Sequence, residues 1–249
     1  MEKTRRPPLE HLAKMVSLAM VGVVALAGTL STIGLFADGS HFLLAILTTG
    51  GLAVGNPERV FVTAVSQTPI LAALAAGVGD AGALVLIHSA GLVFAPNLLW
   101  FAAFWIQRGS PLFWVFVMMW ATVYLTSGFF AVGEYNLTYA LSALAASLLL
   151  PGDRMTPIRL VAVAVVAVVL LRSYESMLFL GPLLAAIAIR AALSSLGGNP
   201  ELPTRVRGRV LALSGVALCF LAGAALALFS PSSLPTIPER STPPCQAVV

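Results

Sequence analysis

The chain has 249 residues, of which 59% are apolar and only 10% are charged, and its mean hydropathy is +0.95. These values exclude a water-soluble domain and indicate a polytopic membrane protein. The net charge of +4 does not by itself indicate a nucleic-acid partner, because in a membrane protein the placement of Lys and Arg matters more than their sum. Cys219 and Cys245 show no metal-binding spacing and no plausible mutual disulfide.

The basic N-terminal segment, residues 1–11, is followed by an apolar run from Leu12 to Phe36. This run is too long for the apolar region of a signal peptide and lacks a convincing A-x-A cleavage site. We therefore expect an uncleaved first membrane span, followed by further runs that approach the length needed to cross a bilayer. The predicted spans are 12–36, 82–106, 112–132, 135–150, 157–171, 177–195 and 209–229.

The positions of the basic residues decide whether the segment 60–79, interrupted by polar residues at 66–69, is an eighth span. With seven spans and a cytoplasmic N-terminus, all Lys and Arg residues except Arg59, Arg172 and Arg240 lie inside, as the positive-inside rule requires. An eighth span would leave most of the basic residues outside. The sequence therefore predicts an all-α protein with about seven membrane spans, located in the bacterial inner membrane.

This topology divides the chain into a cytoplasmic segment 1–11, a helical membrane domain 12–229 and an external C-terminal tail 230–249. The tail is rich in Pro and Ser, and we expect it to be disordered because it has almost nothing to bury. The first external loop, 37–81, contains two apolar segments that do not span, 41–54 and 60–79. We expect both to be helices at the membrane surface.

Polar residues concentrate on the predicted external side, in two turns as well as in the first loop. The turns read VGEYNLTY and LLRSYESM. The first turn is followed, and the second preceded, by an apolar run of only 14 residues. A helix of that length covers roughly 21 Å of a hydrocarbon core about 30 Å thick. Because charge facing lipid at that depth is costly, we expect these turns to line a water-accessible cavity together with Asp38. Their polar residues are Glu134, Tyr135, Asn136, Arg172, Tyr174 and Glu175.

Purely structural roles are alternatives for several of these residues. Asp38 could cap the helix that follows it, with Ser40 as the actual N-cap residue. A metal site at Asp38 and His41 is not favoured, because the sequence offers no third ligand near them. Arg172 and Glu175 stand one helical turn apart and could pair only with each other.

The acidic end of the first span (GLFADGSHF), the long first external loop with two surface helices and the seven spans resemble the GT-C superfamily. These enzymes are polyprenyl-phosphate-dependent membrane glycosyltransferases, and the resemblance covers residues 12–229. It implies that Asp38 is the catalytic carboxylate and that the surface helices shape the site of the lipid donor. The chain departs from the common acidic pair, since Gly39 follows Asp38.

The resemblance implies sugar transfer from a polyprenyl-phosphate donor in the membrane to an acceptor, with no cofactor. Asp38 would remove the acceptor's proton, and Arg172 or Arg59 would stabilise the departing phosphate. Glu134 is a second candidate catalytic carboxylate. The candidate substrate-binding residues are His41, Arg59, Gln67, Tyr135, Asn136, Arg172, Tyr174 and Glu175.

Two other classes of function remain open at this point. In a transporter or channel, Glu134, Arg172 and Glu175 would lie on the pathway or relay protons. The absence of an internal repeat and the position of the polar groups on one side argue against this class. In a noncatalytic membrane subunit, helices rich in small residues, such as LSALAAS and FLAGAALA, would pack closely and permit oligomers.

Overall fold

The computed structural model describes residues 8–126, 132–150, 155–196 and 204–229, and these ranges contain helices and connecting turns but no strand. The predicted disordered tail 230–249 and most of the segment 1–11 lie outside the described residues. The helices are α1 (Pro8–Leu30), α2 (Asp38–Thr49), α3 (Val60–Ala75), α4 (Ala81–Gln107), α5 (Phe113–Leu125), α6 (Glu134–Leu149), α7 (Pro157–Leu170), α8 (Met177–Leu196) and α9 (Thr204–Phe229).

Four of these helices contain stretches long and apolar enough to cross a membrane, namely Leu9–Leu30, Ala81–Gln107, Met177–Ser194 and Val206–Leu228. Helices α3, α5 and α7 are apolar but shorter. The chain is therefore an all-helical, membrane-embedded protein, as the composition predicts, whereas a count of seven spans is not confirmed. The segments predicted as spans at 135–150 and 157–171 form helices of 16 and 14 residues.

Helix α6 lies at the centre of the bundle, in contact with α3, α4, α5, α7 and α8. Twelve of its 16 residues are buried. Small side chains such as Ala140 and Ala143 let α4 approach on one side, while Leu137 and Leu141 enter the core formed with α7, α8 and α9. Because most of α6 is enclosed by protein, its buried polar residues, such as Asn136 and Ser147, are not exposed to lipid.

Helix α3 packs inside the bundle along one face, contacting α4, α6 and α7. Ser66 lies so close to α4 that a methyl group at Gly91 would be 2.2 Å from the Ser66 carbonyl oxygen. Of the polar residues that interrupt this segment, Ser66 and Gln67 are buried and hydrogen-bonded, whereas Thr68 is exposed and donates to the Ala64 carbonyl at 2.6 Å. Thr63, one turn earlier, is also buried and donates to the Arg59 carbonyl at 2.8 Å. The second predicted surface helix is thus integrated into the bundle, because internal hydrogen bonds satisfy its polar side chains.

The turn between α1 and α2 rests tightly on α4. A methyl group at Gly34 would lie 2.6 Å from Ser89 Cα, and one at Gly39 would lie 1.7 Å from the Gly34 carbonyl oxygen. His88 is buried in α4, and its Nε2 lies 2.9 Å from the carbonyl oxygen of Gly39. The two glycines and His88 therefore fix the start of α2, where Asp38 lies.

Candidate functional site

Asp38 is the first residue of α2, and its side chain is exposed. The alternative role of Asp38 and Ser40 as helix caps has no hydrogen bond to support it. The N-cap position is Ala37, no side chain accepts a capping hydrogen bond, and Ser40 Oγ instead donates to the Ala37 carbonyl at 3.1 Å. Within the described residues the Asp38 carboxylate has no hydrogen bond or ion pair. It is available for chemistry, and the α2 N-terminus favours its negative charge.

Glu134 is the first residue of α6 and is only 5% exposed. Its carboxylate accepts a short hydrogen bond from the Thr63 hydroxyl of α3. Burial raises the pKa of Glu134 above its ordinary value, against the opposing effects of the Thr63 hydrogen bond and the nearby Arg59 charge; the charges of Asp38 and Glu175 raise it further. The site therefore joins an exposed carboxylate to a buried one that retains a proton more readily.

Arg59 immediately precedes α3 and supplies the positive charge of the site. Its Nη2 lies 2.6 Å from Glu175 Oε1, and its guanidinium lies 4.3 Å from the centre of the Tyr174 ring. Burial alone would lower the pKa of Arg59, but the hydrogen bond and charge of Glu175 raise it above its ordinary value. Arg59 Nε is buried and has no hydrogen-bond partner among the residues that the structure describes.

Three of the four tyrosines of the chain meet at the same place. The ring of Tyr135 lies 6.2 Å from that of Tyr139 and 5.8 Å from that of Tyr174. Burial raises the pKa of Tyr174 against the opposing charge of Arg59, and the charges of Glu175 and Asp38 raise it further. We call this group the polar cluster, and its members are Asp38, Arg59, Thr63, Glu134, Tyr135, Tyr139, Tyr174 and Glu175.

The polar cluster includes two residues that sequence reasoning missed, Thr63 and Tyr139. Thr63 lies within an apolar segment that the topology placed at the membrane surface, so nothing in its surroundings indicated a contact with Glu134. Tyr139 did carry a signal, because it stands four residues after Tyr135 and shares one face of a helix with it.

Glu175 pairs with Arg59. The alternative that Arg172 and Glu175 pair only with each other is therefore excluded. The Arg172 side chain is exposed and has no ion pair in the described part of the chain. Its carbonyl accepts a hydrogen bond from Phe61 N at 3.2 Å and so ties the start of α3 to the turn before α8.

Three other candidate binding residues lie apart from the polar cluster. Gln67 is buried, and both ends of its amide bond to the Ala53 backbone, at 2.9 and 3.0 Å. This pairing fixes the loop after α2. His41 is exposed beside Phe42. Asn136 is buried and lines an apolar cavity on the other side of α6.

A metal at Asp38 and His41 receives no support from the geometry. Among the residues that the structure describes, no three His, Cys, Asp or Glu side chains are grouped to hold a metal ion. The polar cluster instead combines a free carboxylate, a buried carboxyl and an arginine. Such a set can accept a proton and stabilise an anion.

Comparison of the chain with protein-family models, with curated proteins and with solved structures finds no match. The geometry and chemistry of the polar cluster therefore carry the functional conclusion.

Proposed function

We propose that this protein is a membrane transferase that moves a sugar from a polyprenyl-phosphate donor to an acceptor hydroxyl at the polar cluster. The observation that carries the proposal is the convergence of Asp38, Arg59 and Glu134 from three separate parts of the chain. The residues that form the contacts of this group are far apart in sequence. Thr63 and Glu134 are separated by 71 positions, and Arg59 and Glu175 by 116. Such convergence is expected of a site built for chemistry.

The proposed reaction assigns a separate task to each charged group. The acceptor oxygen attacks the anomeric carbon of the sugar, and its proton passes to the Asp38 carboxylate. The bond between the anomeric carbon and the phosphate oxygen breaks, and the polyprenyl phosphate leaves with the electron pair. Arg59, rather than Arg172, stabilises the phosphate, because a guanidinium matches its oxygens and only Arg59 of the two lies in the polar cluster.

Glu134 helps to hold Arg59 in place. Its hydrogen bond with Thr63 links the start of α6 to α3, the helix that Arg59 precedes. A protonated Glu134 would leave Arg59 to interact with Glu175 and the incoming phosphate. We therefore assign Glu134 as a positioning residue, while its proton gives it the capacity to act as an acid.

The proposal includes the topology with seven spans, a cytoplasmic N-terminus and an external C-terminus in the bacterial inner membrane. The polar cluster supports it, because its members come from the first loop and from the two turns that this topology places outside. In it, α5, α6 and α7 cross as shorter helices beside the four long ones. Helix α6 then spans within protein rather than in contact with lipid.

A transporter is the second candidate function, and the buried Glu134 is the observation that favours it. A buried carboxyl with a raised pKa can bind and release protons during transport. However, Glu134 is the first residue of α6, whereas transporter sites lie typically near the middle of the membrane. The position of the polar cluster at helix ends therefore favours transfer chemistry.

The bound lipid of the purified protein distinguishes these functions. The protein is extracted from its membrane in detergent, and its co-purified lipids are identified by mass spectrometry. The proposal predicts a polyprenyl phosphate or its glycosylated form at near-stoichiometric amounts, lowered in an Arg59→Gln variant and unchanged in Arg172→Gln. Finding only ordinary phospholipids, in equal amounts in all three proteins, would contradict the proposal.

A further inference from the structure

Two arginines lie on the adjoining helices α7 and α9, at the end of the bundle opposite the polar cluster. Helix α8 connects α7 to α9 as an antiparallel partner of both, so α7 and α9 begin at the same end. Arg159 is the third residue of α7, and Arg209 is the sixth residue of α9. The polar cluster lies at the other end, since Tyr174 and Glu175 follow the last residue of α7.

The helical spacing places both arginines on the sides of α7 and α9 that face each other. The two helices meet where a methyl group at Gly223 would lie 3.1 Å from the Leu170 carbonyl oxygen. Arg209 stands 14 residues before Gly223, which leaves it within about 40° of the direction of this contact. Arg159 stands 11 residues before Leu170, within about 20° of that direction on its own helix. Both side chains are half-buried, and they differ in height by only about 5 Å.

No carboxylate balances these two charges. Within the segments that the structure describes, neither Arg159 nor Arg209 has an ion pair or a hydrogen bond from its side chain. Neither α7 nor α9 has an acidic residue in its first turn, so the positive ends of both helix dipoles add to the charge. In the sequence at this end of the bundle, 151–160 and 190–210, six arginines stand against two acidic residues. The arginine pair therefore attracts an anion from outside the chain.

The surroundings of the arginine pair favour an anion that belongs to a membrane. Helix α9 contains the apolar stretch Val206–Leu228, which is long enough to span, and Arg209 is its fourth residue. Ile158, beside Arg159, is 83% exposed, and Leu211 is 73% exposed. These side chains are suited to hydrocarbon, so the arginines lie where the apolar surface of the two helices ends. Arginine side chains near the ends of membrane helices extend to the level of the lipid head groups.

We propose that Arg159 and Arg209 bind the phosphate of an anionic phospholipid, such as phosphatidylglycerol, in the membrane leaflet opposite the polar cluster. A guanidinium binds two phosphate oxygens through parallel hydrogen bonds, and packed helices about 8 to 10 Å apart let one head group reach both arginines. The acyl chains lie along the exposed apolar side chains of α7 and α9. This lipid is separate from any substrate at the polar cluster, so its binding does not depend on sugar transfer.

Photocrosslinking in nanodiscs tests this proposal. One nanodisc preparation contains phosphatidylglycerol and the other phosphatidylcholine, each with a diazirine at the start of one acyl chain, and labelled peptides are identified by mass spectrometry. We expect phosphatidylglycerol to label the starts of α7 and α9, residues 157–165 and 206–214, roughly fivefold or more above phosphatidylcholine, because each basic residue near an anionic surface strengthens binding about fivefold.

Two double variants that each remove two positive charges from this end of the bundle form a matched pair. Arg159→Gln with Arg209→Gln should lower phosphatidylglycerol labelling to the level of phosphatidylcholine. Arg190→Gln with Arg207→Gln should keep the preference. Arg190 stands nine residues after Gly181, which contacts α9, and therefore points away from α9, while Arg207 lies on the side of α9 opposite Arg209. If the first double variant does not fold, the single variants Arg159→Gln and Arg209→Gln should each lower the preference about fivefold.

Equal labelling of the native protein by both probes would overturn the proposal. A preference that survives in folded Arg159→Gln with Arg209→Gln, or that falls equally in the control variant, would also overturn it. A further arm adds glycerol 3-phosphate in large excess. Displacement of the lipid probe by this soluble ester would overturn the assignment to a membrane lipid, because the arginine pair would then bind free phosphate esters.

Discussion

Replacing Arg59 with glutamine should weaken the fold far more than the same change at Arg172. Arg59 pairs with Glu175 at 2.6 Å and lies over the ring of Tyr174. Arg172 is an exposed arginine with no ion pair within the described ranges. Because the charge change is identical, the two variants form a matched pair.

The contacts of Arg59 set the size of the effect. Its side chain is 27% exposed and that of Glu175 is 48% exposed, so water screens their attraction to at most about 1 kcal/mol. Contact with the Tyr174 ring adds about 0.5 to 1 kcal/mol. Glu134 loses its nearest cation, but it can take up a proton, so the full penalty of an unpaired buried charge does not apply. The total is therefore at most about 2 kcal/mol, and the Tm shift that follows from it is an upper limit.

Thermal unfolding in detergent, followed by circular dichroism, measures this difference. For a chain of this length 1 kcal/mol shifts Tm by about 2 to 4 °C, so Arg59→Gln should lower Tm by roughly 4 to 8 °C. Arg172→Gln should lower it by less than about 2 °C. The double variant with Glu175→Gln should show a coupling of about 0.5 to 1 kcal/mol with Arg59. Equal shifts in the two single variants would refute this account of the polar cluster.

Gly39→Ala should lower Tm by roughly 6 to 12 °C, because its methyl group would lie 1.7 Å from the Gly34 carbonyl oxygen and overpacking costs about 3 kcal/mol. Gly22→Ala, which has open space around it, is the control, and equal Tm values would contradict the close packing of this turn. Glu134 should make stability fall as pH rises above about 4.5, the pKa of a free glutamate, towards its raised folded value, since the folded protein binds the extra proton. Unfolding measured across pH should show that Glu134→Gln removes this dependence, and an unchanged pH profile would show that Glu134 is not the group responsible.

Local sequence patterns predicted much of the helical architecture because apolar runs and polar turns are local properties. Runs of apolar residues located the long helices α1, α4, α8 and α9. The same patterns predicted that α6 is a membrane span, because most of its residues after Tyr139 are apolar. Its enclosure by five other helices depends on packing, which an apolar run cannot distinguish from contact with lipid.

The partners within the site could not be predicted in the same way. Sequence spacing pairs Arg172 with Glu175 because they are three residues apart, but the fold brings Arg59 to Glu175 from 116 residues away. Choosing between the two arginines requires the relative positions of α3 and α8, which depend on contacts distant in sequence. The roles proposed for Asp38 and Glu134 come from their residue type and position, and their convergence became visible only in the folded chain.

The departure from the acidic pair of the glycosyltransferases also has a structural reason. A side chain at position 39 would collide with the Gly34 carbonyl, because the turn after α1 folds tightly against α4. Gly39 therefore allows the tight turn that positions Asp38. The carbonyl oxygen of Gly39 also lies within hydrogen-bonding distance of His88. In the proposed function, a second carboxyl group comes from elsewhere in the fold, from Glu134.

The most direct test of the central claim is the rate of sugar transfer by Asp38→Asn, measured with a lipid-linked sugar donor found bound to the purified protein. Asp80→Asn is the control, because Asp80 caps α4 by accepting a hydrogen bond from Ala83 N at 2.6 Å and asparagine can do the same. We predict that Asp38→Asn binds the donor and unfolds at the native Tm. It should transfer sugar at least a hundredfold more slowly, because loss of a general base costs about 100-fold or more. Asp80→Asn should transfer at the native rate. Native rates in both variants would contradict the assignment of Asp38 as the base.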